Sequence, residues 1–208
     1  MRSGIHMKKR REAVFFSVLL AAALFFPSAL RAQDEEVSPN LFFGLVSGRY
    51  LPTDAVFREV YGRSGPNLGV QAGWHFYQSG DFSLALKVGL EGFSRTGVST
   101  VTATKTSLSL KPFRAGLEIH LQPKVLGLWV EAGLVSIAYH EQSKLQETEE
   151  TQGGFYLGGG LLLQIPSFPW AALEVYARWN KAVVSAADFE ADLGGTEFGL
   201  SLLLRLKI

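Results

Sequence analysis

From Leu41 to Ile208 the chain alternates apolar and polar residues in eight runs of roughly ten residues, and this period of two limits what it can become. The runs cover 41–51, 67–77, 82–95, 106–121, 126–141, 154–165, 170–183 and 194–208. Their Val, Leu, Phe, Tyr, Thr and Gly content specifies strands, and helical spacing fits none of them. The links alternate strictly in length. Segments 78–81, 122–125 and 166–169 are tight, whereas 52–66, 96–105, 142–153 and 184–193 are long. Short turns on one side and long connections on the other build an up-and-down transmembrane barrel, whose even strand count leaves both chain ends on the short-turn, periplasmic side.

Parity assigns the faces. In the third run Leu84, Leu86, Val88 and Leu90 oppose Ser83, Ala85, Lys87, Gly89, Glu91 and Arg95. In the seventh, Leu173, Val175, Ala177 and Trp179 oppose Glu174, Tyr176, Arg178 and Asn180. The last sets Phe198, Leu200, Leu202, Leu204 and Leu206 against Glu197, Gly199, Ser201 and Arg205. A soluble lipid-carrying barrel has the same period with the faces exchanged, so size decides: an eight-stranded interior only just holds its side chains, and this apolar set would overfill it. The polar face carries Gly69, Gly73, Gly89, Gly116, Gly133, Gly158, Gly160 and Gly199, which leave space for long charged side chains. The leucines therefore face lipid, and the strands close because unpaired edges are not tolerated there.

This places a mixed-charge network in the lumen: Lys87, Glu91, Arg95, Lys111, Arg114, Glu118, Glu131, Glu174, Arg178, Glu197 and Arg205. In the fourth run the apolar set passes from Leu108 and Leu110 to Ala115, Leu117, Ile119 and Leu121, so the parity changes near Pro112-Phe113. Proline cannot donate to a ladder, which predicts a β-bulge there that turns Lys111 and Arg114 inward. Aromatic girdles are expected from Phe43, Trp74, Phe76, Phe82 and Trp170 at the short-turn end, and from Tyr50, Tyr139, Phe155, Trp179 and Phe198 at the other. In the first long link Val56, Phe57, Val60 and Tyr61 have helical spacing, with Thr53 or Asp54 as N-cap and Gly62 as stop.

Composition narrows the class. At 47 % apolar and 19 % charged the chain is a folded one. Six of its 20 basic and one of its 19 acidic residues lie in the first 32, leaving 14 against 18, a net of −4, without the basic stripe a nucleic-acid binder needs. Zero cysteines exclude disulfides, thiolate metal sites and a cysteine nucleophile. Basic Lys8 to Arg11, the apolar run Ala13 to Phe26 and the small-residue stretch to Ala32 read as a cleaved signal peptide over 1–32, then a short periplasmic tether over 33–40. The expectation is one all-β, eight-stranded antiparallel transmembrane barrel over 41–208.

On those residues the chain resembles the small outer-membrane β-barrel proteins of the opacity and porin-like superfamily. Leu51-Pro52-Thr53-Asp54-Ala55-Val56-Phe57-Arg58-Glu59-Val60-Tyr61-Gly62, Phe93-Ser94-Arg95-Thr96-Gly97, Pro112-Phe113-Arg114-Ala115-Gly116 and 187–195 carry the resemblance, which spans most of 40–208. It implies the outer membrane of a Gram-negative-type bacterium, with the barrel-assembly machinery as a partner, and is informative for fold rather than role.

Chemistry is sparse. His75, His120 and His140 lack the local nucleophile pairing of a barrel deacylase, so each is read as an interface or rim residue, and no metal cluster or cofactor loop stands out. Glu147, Glu149 and Glu150 are expected in the third long loop, solvated or holding divalent cations beside lipopolysaccharide. The leading reading is a structural or surface-interaction protein of the outer membrane, with its lipids and lipopolysaccharide around it and no catalytic step. A narrow conduit for ions or apolar solutes and a lipid A-modifying enzyme are the alternatives, and the long loops offer surface for an extracellular partner.

Overall fold

A computed structural model describes residues 40–98, 103–122, 125–143, 147–186 and 189–207. The expected signal peptide, and all of the expected tether except Asn40, lie outside the described residues. The elements are β1 (Asn40–Pro52), α1 (Ala55–Tyr61), β2 (Gly65–Ser79), β3 (Phe82–Val98), β4 (Lys105–Leu121), β5 (Leu126–Ser143), β6 (Glu147–Gln164), β7 (Ala171–Lys181), β8 (Val183–Ala186), β9 (Phe189–Asp192) and β10 (Gly195–Lys207). Eight strands close into a barrel in the order β1-β10-β7-β6-β5-β4-β3-β2, antiparallel throughout. The architecture is the expected one. An extra hairpin, β8–β9, occupies the fourth long link as a sheet of its own. No helix among the described residues is long and apolar enough to cross a membrane.

The outer surface carries an apolar belt. Phe113–Leu121, Leu126–Leu134, Phe155–Leu163 and Phe198–Leu206 each place five outward positions in nine residues, and most of the large side chains there are half exposed. Nine residues rising about 3.3 Å each, at a tilt of about 40°, give a height of roughly 20–25 Å, the apolar band of a membrane barrel. Exposed rings mark its margins: Phe43, Trp74 and Trp170 towards the short turns, and Phe113, Phe155, Trp179 and Phe198 towards the long links.

Several sequence expectations change. The β3–β4 and β4–β5 ladders hold one register across Pro112, with Leu90 opposite Phe113 and Phe93 opposite Leu110, so there is no bulge and no change of parity. Lys111 therefore points outward and is exposed, not into the lumen, while Leu108 and Leu110 are buried inside. What reverses is polarity: beyond the belt the barrel has an apolar interior and a polar exterior. For the same reason Tyr50 and Tyr139 turn inward onto that interior instead of joining a girdle.

The bulge lies in β2. Its register to β3 shifts between His75 and Tyr77, and the extra residue, Phe76, is buried rather than a girdle ring. The second and third long links are also shorter than expected, since the strands run on. Glu147, Glu149 and Glu150 are strand residues of β6 opposite Gln142, His140 and Tyr139, which divides the acidic run between two faces.

Candidate functional site

Side chains fill the lumen in three layers. The layer nearest the long links is apolar, built from Tyr50, Phe93, Leu108, Leu110, Val135, Ile137, Tyr156 and Leu193. Helix α1 covers it with Phe57, Val60 and Tyr61. The helix starts where the Asp54 carboxylate accepts from the Phe57 amide at 2.9 Å. It stops at Gly62, whose φ of 92° suits glycine and whose N–H reaches Arg58 O at 3.1 Å. Tyr61 hydrogen-bonds with Thr106 (3.0 Å) and donates to Glu141. Burial first, then the Glu141 hydrogen bond, raises the Tyr61 phenol above its ordinary pKa and keeps it a donor.

The middle layer holds the charges. Lys87 pairs with Glu118, lies 3.5 Å from Glu131 and 3.9 Å from Glu174, and sits 4.5 Å from the Trp129 ring centroid. Arg114 bridges Glu91 and Glu197. Arg178 pairs with Glu131, with Glu91 at 3.0 Å, and donates to Gln71 at 3.1 Å. Gln71 passes the connection on, with its amide 2.8 Å from both Glu174 and Ser201. All eight charged groups are at most 5 % exposed, and burial on that scale is tolerated only with partners. Glycines admit them: a Cβ on Gly69 would lie 2.4 Å from Glu91 Cγ, and one on Gly158 2.8 Å from Arg178 Cγ.

The layer towards the short turns packs Phe42, Val46, Ala85, Trp129, Leu162, Tyr176 and Leu203. Beside it the His75 and His120 rings lie 4.9 Å apart, tilted by 59°, and His120 Nε2 contacts Glu118. Both point into the lumen near its short-turn rim and not to the lipid interface, because their strand parity is that of Lys87 and Glu118. A cavity of about 590 Å³ opens at this end between His75, Gln78, Gln122, Gln164 and half-buried Arg205, which donates to Gln122 at 3.0 Å.

Of the eleven residues read as lumenal, eight form the paired layer. Arg205 lies at the short-turn mouth, and Arg95 near the other, donating to Ser64 O at 2.5 Å. Lys111 is outside. Gln71 and Asn67, which donates to Glu91, escaped the reading because only charges were followed. Their parity with Gly69 and Gly73 was the available signal.

Three cations face five carboxylates in this layer, and Glu174 Oε1 and Glu197 Oε2 are buried without hydrogen-bond partners. Among the described residues no hydroxyl hydrogen-bonds to either imidazole, and no three His, Asp or Glu side chains are grouped to hold a metal. His140, on the outer face, is 3.5 Å from Glu147.

No family model and no curated protein matches the sequence. Solved structures match the fold. The outer membrane protein OprG of Pseudomonas aeruginosa superposes with a TM-score of 0.57 at 9 % identity, covering 82 % of this chain and 97 % of its own. Ail, the attachment invasion locus protein of Yersinia pestis, solved with the heparin analogue sucrose octasulfate, gives 0.51 at 11 %, covering 81 % and 98 %. Neisserial surface protein A gives 0.50 at 13 %, covering 82 % and 96 %. The fold is that of the small outer-membrane β-barrels.

Proposed function

We propose that this chain is an integral outer-membrane barrel whose role is structural and interactive: a rigid, lumen-locked scaffold that holds a tall polar wall and long links outside the cell. One observation carries this reading. The buried charges of the middle layer are spent on one another, between two apolar layers, so the interior is committed to holding the barrel closed. The apolar belt supports the membrane setting, and the likeness in fold to outer-membrane proteins, one of them an attachment protein, agrees with it. The short turns are then periplasmic and the long links external.

The test is threefold. The protein, extracted from outer membranes in detergent, is expected to migrate faster on a gel unboiled than boiled. In planar bilayers it is expected to hold no steady current. Steady conductance that disappears in Lys87→Met or Arg178→Met replaces the scaffold with an ion path. Mass analysis of lipid A with and without the protein is expected to show no difference, and a change abolished by altering His75 or His120 makes it an enzyme instead.

A further inference from the structure

Strands β3 to β6 run eight or nine residues past the belt, beyond Leu90, Phe113, Leu134 and Phe155, whereas β7, β10, β1 and β2 end close to its margin. At about 3.3 Å per residue and a tilt of about 40° they form a wall roughly 20 Å high. The outward face of the wall on β3 and β4 carries short hydroxyls between two lysines, with exposed Val98 opposite the upper one. Ser94 faces Ser109 and Thr96 faces Ser107 across the ladder, with Lys111 below them and Lys105 above. Lys111 is exposed, two residues past Phe113 at the edge of the belt, and among the described residues no carboxylate pairs with it. The acidic residues of the same face, Glu147 and Glu149, lie on β6, with β5 between.

A lysine beside the apolar margin sits at the depth of lipid phosphates, and the β3–β4 half of the wall is complementary to them in sign. Height selects among lipids. The headgroup zone of a phospholipid leaflet is only about 5–8 Å deep, so it covers the first row of the wall and leaves the rest bare. A headgroup of several sugars covers all of it, and short hydroxyl side chains on a sheet give such a headgroup hydrogen-bond donors and acceptors without steric obstruction.

We propose that the outward face of β3 and β4 docks the phosphorylated saccharide headgroup of an outer-leaflet glycolipid, Lys111 pairing with a phosphate and Ser94, Ser109 and their neighbours bonding the sugars. The proposal rests on the membrane reading above. Its test refolds the protein into vesicles of phosphatidylcholine carrying either lipopolysaccharide or phosphatidylglycerol, and counts lipid retained after detergent extraction by native mass spectrometry. Gel mobility before boiling reports insertion separately. Wild type is expected to retain lipopolysaccharide in preference to phosphatidylglycerol. Lys111→Ala is expected to weaken lipopolysaccharide retention roughly tenfold, the worth of one hydrogen-bonded charge, with insertion unchanged. Ser94→Ala/Ser109→Ala is expected to lower it while leaving phosphatidylglycerol unaffected. Equal retention of the two lipids, or no loss in Lys111→Ala, overturns the docking site. Failure to insert into either vesicle overturns the membrane reading itself.

Discussion

Phe42 lays its ring over Gly73, its partner across the β1–β2 ladder, so closely that a Cβ on Gly73 would lie 2.2 Å from Phe42 Cζ. The glycine is there for the ring, which closes the layer towards the short turns. Gly73→Val is therefore expected to destabilise the barrel by about 1–3 kcal/mol through overpacking. Urea unfolding in lipid vesicles measures it. Phe42→Ala combined with Gly73→Val is expected to cost less than the two single changes added together, because truncating Phe42 vacates the space that the valine needs.

Lys87 is the cation shared by Glu118, Glu131 and Glu174. Its replacement by Met leaves those carboxylates buried with too little positive charge, a loss expected at about 3–5 kcal/mol. Adding Glu118→Gln removes the nearest unpaired charge and is expected to return part of the stability. Equilibrium unfolding followed by tryptophan fluorescence reads both, Trp129 lying against the lysine.

How much of this was legible in the sequence follows from where one residue type has one meaning. Within the belt most large apolar residues face outward, so Leu86, Val88, Leu200 and Leu202 were placed correctly from alternation alone, while Trp129, Leu162 and Leu203 at the same height face the lumen. Beyond it, Leu108 and Leu110 belong to the interior and Lys111 to the exterior, and the change looked like a change of parity when it was a change of surroundings. Pro112 made a bulge plausible, yet the lapse in pairing it brings is confined to Glu91 and Gly92, and the register continues on either side. The bulge at Phe76 had no glycine or proline to announce it. The pairing of Arg178 with Glu91 and Glu131 was beyond reach for another reason: it joins strands that are not neighbours, across a lumen whose depth depends on the register of all eight.

The reversal of polarity beyond the belt has its own test at adjacent positions. Leu110, 2 % exposed, packs in the interior, and Leu110→Ala is expected to cost about 2–5 kcal/mol. Lys111→Ala, one residue on, is expected to change unfolding by less than about 0.5 kcal/mol in phosphatidylcholine vesicles. A shift at Lys111 as large as that at Leu110 would return the lysine to the lumen.

Helix α1 is a local unit with identifiable ends. Asp54→Ala removes the acceptor for the Phe57 amide and is expected to weaken the helix by about 1 kcal/mol. Hydrogen exchange is expected to speed up across residues 55–61 while the barrel strands keep their protection. Gly62→Ala should act in the same direction, since its φ of 92° disfavours a side chain.

Glu91 and Glu197 both pair with Arg114, but their loads differ. Glu91 also takes Arg178 at 3.0 Å and accepts from Asn67, whereas Glu197 has one oxygen buried without a partner. Replacing Glu91 by Gln deprives two buried arginines of charge and is expected to cost about 3–5 kcal/mol. Glu197→Gln leaves Arg114 with Glu91 and supplies an amide in place of an unpartnered carboxylate oxygen, so its cost is expected to stay near 1 kcal/mol. The comparison is made by urea unfolding at one pH and one lipid composition. Equal losses would mean that the two carboxylates share the arginines evenly, and that the order of strength within the layer is not the one the distances give.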